Sequence, residues 1–210
     1  MSDVVVVGGG PGGVVLALLL ARAGVPVTLL ESHQDFDRDF RGDSLHPYTL
    51  ELLDQLGLAD RLLELPHHPA RHFRLHTPTA TITTADYGKL RGRFNYVALM
   101  PQARFLDFLA EQAARLPAFT LRLGAKVTGL TEDDGVVTGV RYRDRNGTQT
   151  LPARLVVGAD GRFSKLRALS GLPGHSLGAS SDLLWFRLPR LPTDPPEADV
   201  DLFFGRDQYV

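Results

Sequence analysis

The chain has 210 residues, a formal net charge of -1, 43% hydrophobic residues and no cysteine. This length allows one or two domains, and the balanced charge gives no electrostatic basis for binding nucleic acid or an anionic membrane. The absence of cysteine excludes disulfides, thiolate catalysis and iron–sulfur ligation, so we expect any redox chemistry to come from a bound cofactor.

The first element of the chain is strand-like and lacks the basic residues of a signal peptide. The longest apolar run, Val14–Ala21, is too short to span a bilayer. We therefore expect a cytoplasmic protein that makes no contact with a membrane.

Residues 3–31 read DVVVVGGGPGGVVLALLLARAGVPVTLLE, the pattern of a strand, a glycine turn, a helix and a second strand. The opening valine run is typical of a parallel strand that is buried on both faces. Gly8, Gly10 and Gly13 complete the G-x-G-x-x-G fingerprint of dinucleotide-binding proteins. We expect Gly8 to permit the tight turn, Gly10 to admit a diphosphate, and Gly13 to let the helix pack closely on the sheet.

The elements that follow the glycines indicate the ligand. A helix predicted over 11–23 would direct its free N–H groups and the positive end of its dipole at a diphosphate. Glu31 follows the second predicted strand, 27–30, about 20 residues after the glycines, where a carboxylate can accept both hydroxyls of a ribose. An acid at this position favours an unphosphorylated ribose, so FAD or NAD fits better than NADP.

In the middle of the chain, the spacing of apolar residues changes from that of helices to that of strands. After an irregular polar segment, 32–44, apolar residues recur at helical spacing over 47–56 and 59–65. From residue 71 to residue 84 the pattern switches to period two, which is typical of antiparallel strands. The sequence therefore predicts a mainly antiparallel β domain inserted into an α/β domain.

Four histidines in this region, His67, His68, His72 and His76, raise the question of a metal site. Prolines on either side of the first pair break any helix that would align them, and no carboxylate completes a ligand shell nearby. A solvated strand face explains the histidines better, and we predict no metal site.

The rest of the chain alternates between strands and helices. An amphipathic helix is predicted from Pro101, and strands are predicted over 71–76, 79–84, 96–100, 119–123, 126–130, 136–143, 149–157, 183–188 and 200–204. Asn146-Gly147 is a strong hairpin signal between two of these strands. The chain stops in apolar, strand-like residues, where a solvated terminus would be expected, which suggests a fragment of a longer protein.

Three segments together resemble the FAD-dependent aromatic hydroxylases, the single-component flavoprotein monooxygenases of the p-hydroxybenzoate hydroxylase type. They are the glycine turn with Glu31, the segment 41–45 (RGDSL), similar to the family's R-G-x-x-L, and the segment 158–167 (GADGRFSKLR), similar to its D-G-x-x-S-x-x-R motif. The resemblance implies an α/β fold, with a Rossmann-like FAD-binding domain of the GR2 type and an inserted, mainly antiparallel β substrate domain. The implied parts are 1–70 and 101–175 for FAD binding, and 71–100 and 176–210 for an incomplete substrate domain.

The resemblance also implies which residues contact the cofactor. Arg41 would lie along the ribose and diphosphate, and Asp160 would lie near the ribose-phosphate chain of the flavin. Arg167 would hold the D-G motif and contribute to the path of the pyridine nucleotide. With the glycine turn, the expected cofactor-binding residues are Gly8, Gly10, Pro11, Gly12, Gly13, Glu31, Ser32, Arg41, Gln102, Asp160, Gly161 and Arg167. From the residues alone, Arg41 could instead be a solvated loop charge and Asp160 a cap on the next helix.

The reaction of the family implies FAD reduced by NAD(P)H, dioxygen as oxidant, and transfer of one oxygen atom to an aromatic or similar small organic substrate. We expect no catalytic side chain, and nothing selects a substrate contact among Tyr96, Arg187 and Trp185. One alternative is another flavin oxidoreductase on the same scaffold, a reductase or a halogenase. Trp185 with Pro189 is faintly similar to the W-x-W-x-I-P box of flavin-dependent halogenases, although the second tryptophan is missing. The other alternative is a non-catalytic FAD-binding fragment, because the family's second G-D motif is absent.

Overall fold

The structure is a computed structural model and describes residues 2–37, 42–175, 178, 184, 188–189, 191–193 and 199–205. Its elements are β1 (Val4–Val7), α1 (Pro11–Arg22), β2 (Val27–Leu30), β3 (Ser44–Leu45), α2 (Pro47–Gln55), α3 (Ala59–Leu63), β4 (His68–Ala70), β5 (His72–His76), β6 (Thr81–Asp86), β7 (Val97–Leu99), α4 (Gln102–Ala114), β8 (Phe119–Arg122), β9 (Lys126–Asp133), β10 (Val136–Asp144), β11 (Gly147–Pro152), β12 (Leu155–Gly158), α5 (Lys165–Leu169) and β13 (Val200–Phe203). Within these described ranges, no helix combines the length and the apolar character needed to cross a bilayer.

Contacts divide the chain into two compact units, each built from two segments. Unit 1 comprises Met1–Asp39 and Ala103–Leu183, and unit 2 comprises Phe40–Gln102 and Leu184–Val210. The boundary expected at residue 70 differs from this division, because β3 and β4 both pair with β7 and therefore share one sheet. The assignment of FAD-binding and substrate roles to the four predicted parts stays a prediction.

The central sheet of unit 1 is parallel and has the strand order β12-β1-β2-β8. Every residue of β1 and β2 is buried, as expected for aliphatic strands that are covered on both faces. α1 connects these two strands, so the predicted strand, helix and strand are confirmed as a βαβ unit.

A second sheet of unit 1 is antiparallel and has the order β11-β10-β9. The predicted hairpin is confirmed, and Gly147 at its turn has a φ of +96°. The single strand predicted over 149–157 is wrong, because β11 ends at Pro152 and β12 belongs to the parallel sheet. The Ala153 amide still donates to the Thr138 carbonyl of β10 at 2.9 Å, whereas the amides of Arg154 and Leu155 donate to the Asp3 carbonyl at 3.0 and 3.1 Å, so the chain passes to the parallel sheet directly after Ala153.

One apolar core joins the two sheets of unit 1. Its buried members are Val5, Val7, Leu30, Ala125, Val127, Val140, Tyr142, Leu151, Ala153 and Leu166. Because two of these residues belong to β1, the antiparallel sheet supports the strand that leads into the glycine turn. The apolar stripe predicted for α4 is also confirmed, since Phe105, Leu106, Leu109 and Ala113 are buried.

Unit 2 contains two three-stranded sheets, β3-β7-β4 and β13-β5-β6. β5 and β6 pair antiparallel, as predicted, whereas β13 joins β5 in parallel with Val200 opposite Phe73. The two predicted helices are confirmed as α2 and α3, which bury Leu50 and Leu62. The strand predicted over 183–188 falls mostly on residues outside the described ranges.

Candidate functional site

The glycine turn begins where β1 ends. Gly8 has a φ of +108°, which other residues rarely adopt, and its amide donates to the Leu30 carbonyl at 2.8 Å. A Cβ on Gly8 would lie 2.3 Å from the Ala159 carbonyl oxygen. The predicted tight turn is therefore confirmed, and the missing Cβ also lets the turn touch the segment that follows β12.

The other glycines of the turn differ in their surroundings. A Cβ on Gly13 would lie 1.9 Å from the Gly8 carbonyl oxygen, so α1 can approach the end of β1 this closely only with glycine there. At Gly10 and Gly12, the position of a Cβ has open space around it. Pro11 is the first residue of α1, so the start of this 12-residue helix borders that space. The arrangement suits a diphosphate bound at a helix N-terminus.

The glycine turn, Glu31 and the D-G segment meet at the carboxyl edge of the parallel sheet. Gly8 follows β1, Glu31 follows β2, and Ala159 follows β12. The Ala159 amide donates to the Val7 carbonyl at 2.7 Å. This hydrogen bond joins the D-G segment to the end of β1, directly before the glycine turn. Because β2 and β12 lie on opposite sides of β1, this edge is a topological switch point, where such sheets usually bind ligands.

Glu31 is a buried carboxylate, with 2% of its surface exposed. Its Oε2 accepts the Gly9 amide at 2.7 Å, and its Oε1 accepts the His33 amide at 2.8 Å and the Ser32 hydroxyl at 3.1 Å. The His33 ring nitrogen Nδ1 lies 2.6 Å from the same Oε1. These contacts hold the carboxylate between the glycine turn and the loop after β2, at the position predicted for ribose binding.

Two of these contributors were not predicted. A Cβ on Gly9 would lie 2.9 Å from Glu31 Oε2 and 3.0 Å from Phe36 Cε1, so this glycine makes room for the acid. The sequence could have indicated this role, because the fingerprint requires glycine at positions 8 and 10 but not at position 9. His33 lies in the irregular segment after β2, and no motif marks it.

The Asp160 carboxylate caps the short helix α5. Its Oδ2 accepts the amides of Lys165 and Leu166 at 2.6 and 3.0 Å, and its Oδ1 accepts the Ser164 hydroxyl at 2.6 Å. Ser164 in turn accepts the Arg167 amide at 3.0 Å. Burial raises the pKa of Asp160, but these hydrogen bonds outweigh it and hold the pKa below its usual value. The capping alternative therefore describes this side chain, and a contact of the Asp160 backbone with a cofactor stays a prediction.

Gly161 and Arg167 shape the connection between β12 and α5. Gly161 has a φ of +79°, and the position of a Cβ on it has open space around it. The exposed Arg167 donates through Nη2 to the Arg162 carbonyl at 3.2 Å, which ties α5 back to the turn. This contact is consistent with the expected role in holding the motif, whereas a role toward a pyridine nucleotide stays a prediction.

The remaining predicted residues belong to unit 2. Arg41 lies outside the described residues. Gln102 begins α4, and its Nε2 lies 3.5 Å from the position that a Cβ on Gly42 would take. The Met100 amide also donates to the Asp43 carbonyl at 2.5 Å. The structure thus brings Gln102 to the R-G-x-x-L segment, although the two are far apart in the sequence.

Asp107 of α4 is influenced by the charges of other carboxylates in unit 1. The pKa of Asp107 is raised, first by burial and then by the negative charges of Glu111, Asp35 and Asp37. In the sequence, Asp35 and Asp37 stand only as polar residues of an irregular loop, and no pattern links them to α4.

The histidines of β5 meet carboxylates that the sequence analysis did not anticipate. His72 Nδ1 lies 2.9 Å from Asp199 Oδ2, and His76 Nε2 lies 2.7 Å from Asp201 Oδ1. Within the described part of the chain, no three or more His, Asp or Glu side chains are grouped so that they could hold a metal ion. The parallel pairing of β13 with β5 brings these carboxylates to the histidines, which the order of residues along the chain does not indicate.

Of the three residues considered for substrate contact, only Tyr96 falls within the described residues, and Trp185 and Arg187 do not. The Arg71 guanidinium lies 5.9 Å from the centre of the Tyr96 ring. Burial raises the pKa of Tyr96, and the charges of Arg71 and Arg93 offset part of that increase.

Comparisons with known proteins agree with this geometry. A family model described as FAD binding domain matches residues 1–198. The 6-methylpretetramide 4-monooxygenase of Streptomyces rimosus is 39% identical over 203 residues, which cover 96% of this chain and 48% of that protein. The chain therefore spans about half the length of this curated relative.

Two solved structures, of a monooxygenase and of a halogenase, have a similar fold. The p-nitrophenol 4-monooxygenase of Pseudomonas putida superposes with a TM-score of 0.73 at 30% identity, covering 82% of this chain and 44% of that one. The myxobacterial chondrochloren halogenase, a variant of FAD-dependent halogenases, superposes with a TM-score of 0.69 at 28% identity, covering 78% and 38%.

Proposed function

The chain belongs to the family of FAD binding domains, and from this we propose that it forms the FAD-binding part of a monooxygenase that uses NAD(P)H and dioxygen to hydroxylate an aromatic or similar small organic substrate. The observation that carries the proposal is the meeting of the glycine turn, Glu31 and the D-G motif at one edge of the parallel sheet. The similarity to two monooxygenases supports the reaction class. A cytoplasmic location is part of the same proposal.

The residues of unit 1 fit the adenosine and diphosphate half of FAD. The open space beside Gly10 and Gly12 would admit the diphosphate to the N-terminus of α1. Glu31 would accept the hydroxyls of the adenosine ribose, and the backbone of Asp160 and Gly161 would face the ribose-phosphate chain of the flavin.

When bound, FAD would supply the redox chemistry: with two electrons from NAD(P)H, one oxygen atom of dioxygen would reach the substrate and the other would leave as water. The residues of this chain bind and orient the cofactor. The α1 N-terminus holds the negative charge of the diphosphate, while Glu31 fixes the adenosine end by hydrogen bonds. The contacts that the resemblance implies for Arg41 and Gln102 stay predictions. We propose no side-chain nucleophile.

The absorption spectrum of the purified protein tests the cofactor, together with identification of any molecule released on denaturation. We expect a flavin spectrum and released FAD. A colourless protein that also fails to take up added FAD would contradict the proposal. The reaction is tested on the longest native form that contains this chain, by NAD(P)H oxidation with aromatic compounds under ¹⁸O₂, and we expect one labelled oxygen atom in the product.

A flavin-dependent halogenase is the second candidate, because one of the similar structures has that activity. The same assay separates the two functions when chloride or bromide is supplied. A halogenated product without ¹⁸O in its ring would favour the halogenase, whereas a hydroxylated product carrying ¹⁸O would favour the monooxygenase.

A further inference from the structure

The hydrogen bonds of Glu31 leave little room for a ribose on one of its oxygens. A carboxylate oxygen has two lone pairs. Oε1 already meets three donors, namely the Ser32 hydroxyl at 3.1 Å, the His33 amide at 2.8 Å and the His33 Nδ1 at 2.6 Å. A ribose hydroxyl that donates to Oε1 must therefore displace one of these donors.

The His33 ring is a donor that can leave without any movement of the backbone. Its backbone is fixed, because the His33 carbonyl accepts the Gly124 amide at 2.7 Å while its own amide donates to Glu31. Its side chain is 55% exposed, in contrast to 3% for the side chain of Glu31. A rotation about the side-chain bonds would carry the ring into solvent, where water can satisfy its nitrogens, and would leave the backbone contacts in place.

We propose that the His33 imidazole occupies the acceptor position on Glu31 Oε1 that a hydroxyl of the adenosine ribose takes when a nucleotide binds. His33 thereby acts as an internal competitor that lowers the affinity of the chain for the adenosine half of FAD. The inference rests on the proposed FAD site. His33 is a positioning residue in this scheme and has no part in the redox reaction.

Calorimetric titration of the protein with ADP tests the inference. His33→Ala removes the ring but keeps the backbone N–H that orients Glu31, so we expect ADP to bind about threefold to tenfold more tightly than to the parent protein. His33→Ser provides a second variant without the ring, and His175→Ala, at an exposed histidine of the same unit, is the matched control. With 2′,3′-dideoxy-ADP, which has no hydroxyl to donate, the gain should disappear.

Each other outcome would overturn the inference. Unchanged or weaker ADP binding by both His33 variants would mean that the ring does not compete, and an equal gain with the dideoxy nucleotide would mean that the ribose hydroxyls are not involved. A lack of ADP binding by every protein would overturn it as well. Tighter ADP binding by the variants, combined with a failure to oxygenate any substrate, would uphold this inference while contradicting the proposed monooxygenase.

Discussion

At the scale of single residues, we expect substitutions at two glycines of the same turn to have different effects, one on folding and the other on cofactor binding. In Gly13→Ala the new methyl group would lie 1.9 Å from a backbone carbonyl, so the free energy of unfolding should fall by about 1 to 3 kcal/mol. Gly10 has φ −75° and ψ 176°, which alanine adopts freely, and open space surrounds its Cβ position. Gly10→Ala should therefore fold normally and bind FAD about tenfold more weakly, because the methyl group fills space that the diphosphate would enter.

Urea denaturation followed by circular dichroism measures the first effect, and titration with FAD measures the second. Each variant serves as the control for the other. Parent-like stability of Gly13→Ala would show that the helix can retreat from the strand. Parent-like FAD affinity of Gly10→Ala would mean that the diphosphate does not lie against this glycine.

At the scale of elements, the cap of α5 gives a prediction about a short helix. Ser164 donates to Asp160 and accepts the Arg167 amide, so Ser164→Ala removes both contacts and should destabilise the protein by about 1 kcal/mol. Ser170→Ala is the matched control, since that hydroxyl only donates to the Arg167 carbonyl at the other end of the helix. Thermal denaturation of both variants provides the measurement, and an equal loss in the two would contradict the role assigned to the cap.

The attachment of β13 to β5 gives a prediction about pH. Burial raises the pKa of Asp199, but the amides of His72 and Arg71 and the His72 ring outweigh it and lower the pKa to about 2. A carboxyl group with a lowered pKa in the folded state contributes stability above its unfolded pKa, and this contribution is lost as pH falls through the folded value. The unfolding free energy should therefore decrease as pH falls from about 4 to about 2. The decrease should amount to about 1 kcal/mol, because solvent screens the partly exposed partners.

Asp199→Asn should lose this contribution at neutral pH and should show a flatter dependence of the unfolding free energy between pH 4 and pH 2. Asp201→Asn lies within β13, two residues after Asp199, and its side chain is 29% exposed against 9% for Asp199, so this variant should change less. Urea denaturation at several pH values measures both effects. If the two variants and the parent protein shared one pH profile, the contribution of Asp199 to the attachment of β13 to β5 would be refuted.

At the scale of the whole molecule, the sequence predicted those parts that depend on neighbours in the chain. The βαβ unit with Glu31 at its end, the hairpin and the amphipathic helix α4 follow from local periodicity and turn residues. Other features depend on pairing between distant strands. They are the contacts of Asp199 with β5, the division at residue 39 and the switch of sheets after Pro152. The second role of Gly9 and the approach of the His33 ring to Glu31 also needed coordinates, because no spacing rule encodes them.

The core shared by the two sheets of unit 1 gives the last prediction, which couples a distant strand to the glycine turn. Val140 of β10 is fully buried in the cluster that contains Val5 and Val7, so Val140→Ala should lower the unfolding free energy by about 2 kcal/mol. Hydrogen exchange should then speed up in the peptide covering β1 and the glycine turn, because that strand loses packing. Val136→Ala lies on the same strand at a side chain that is 65% exposed, and it should leave exchange unchanged. Equal exchange in the two variants would mean that β1 is held by the parallel sheet and α1 alone, and that the antiparallel sheet does not support the candidate site.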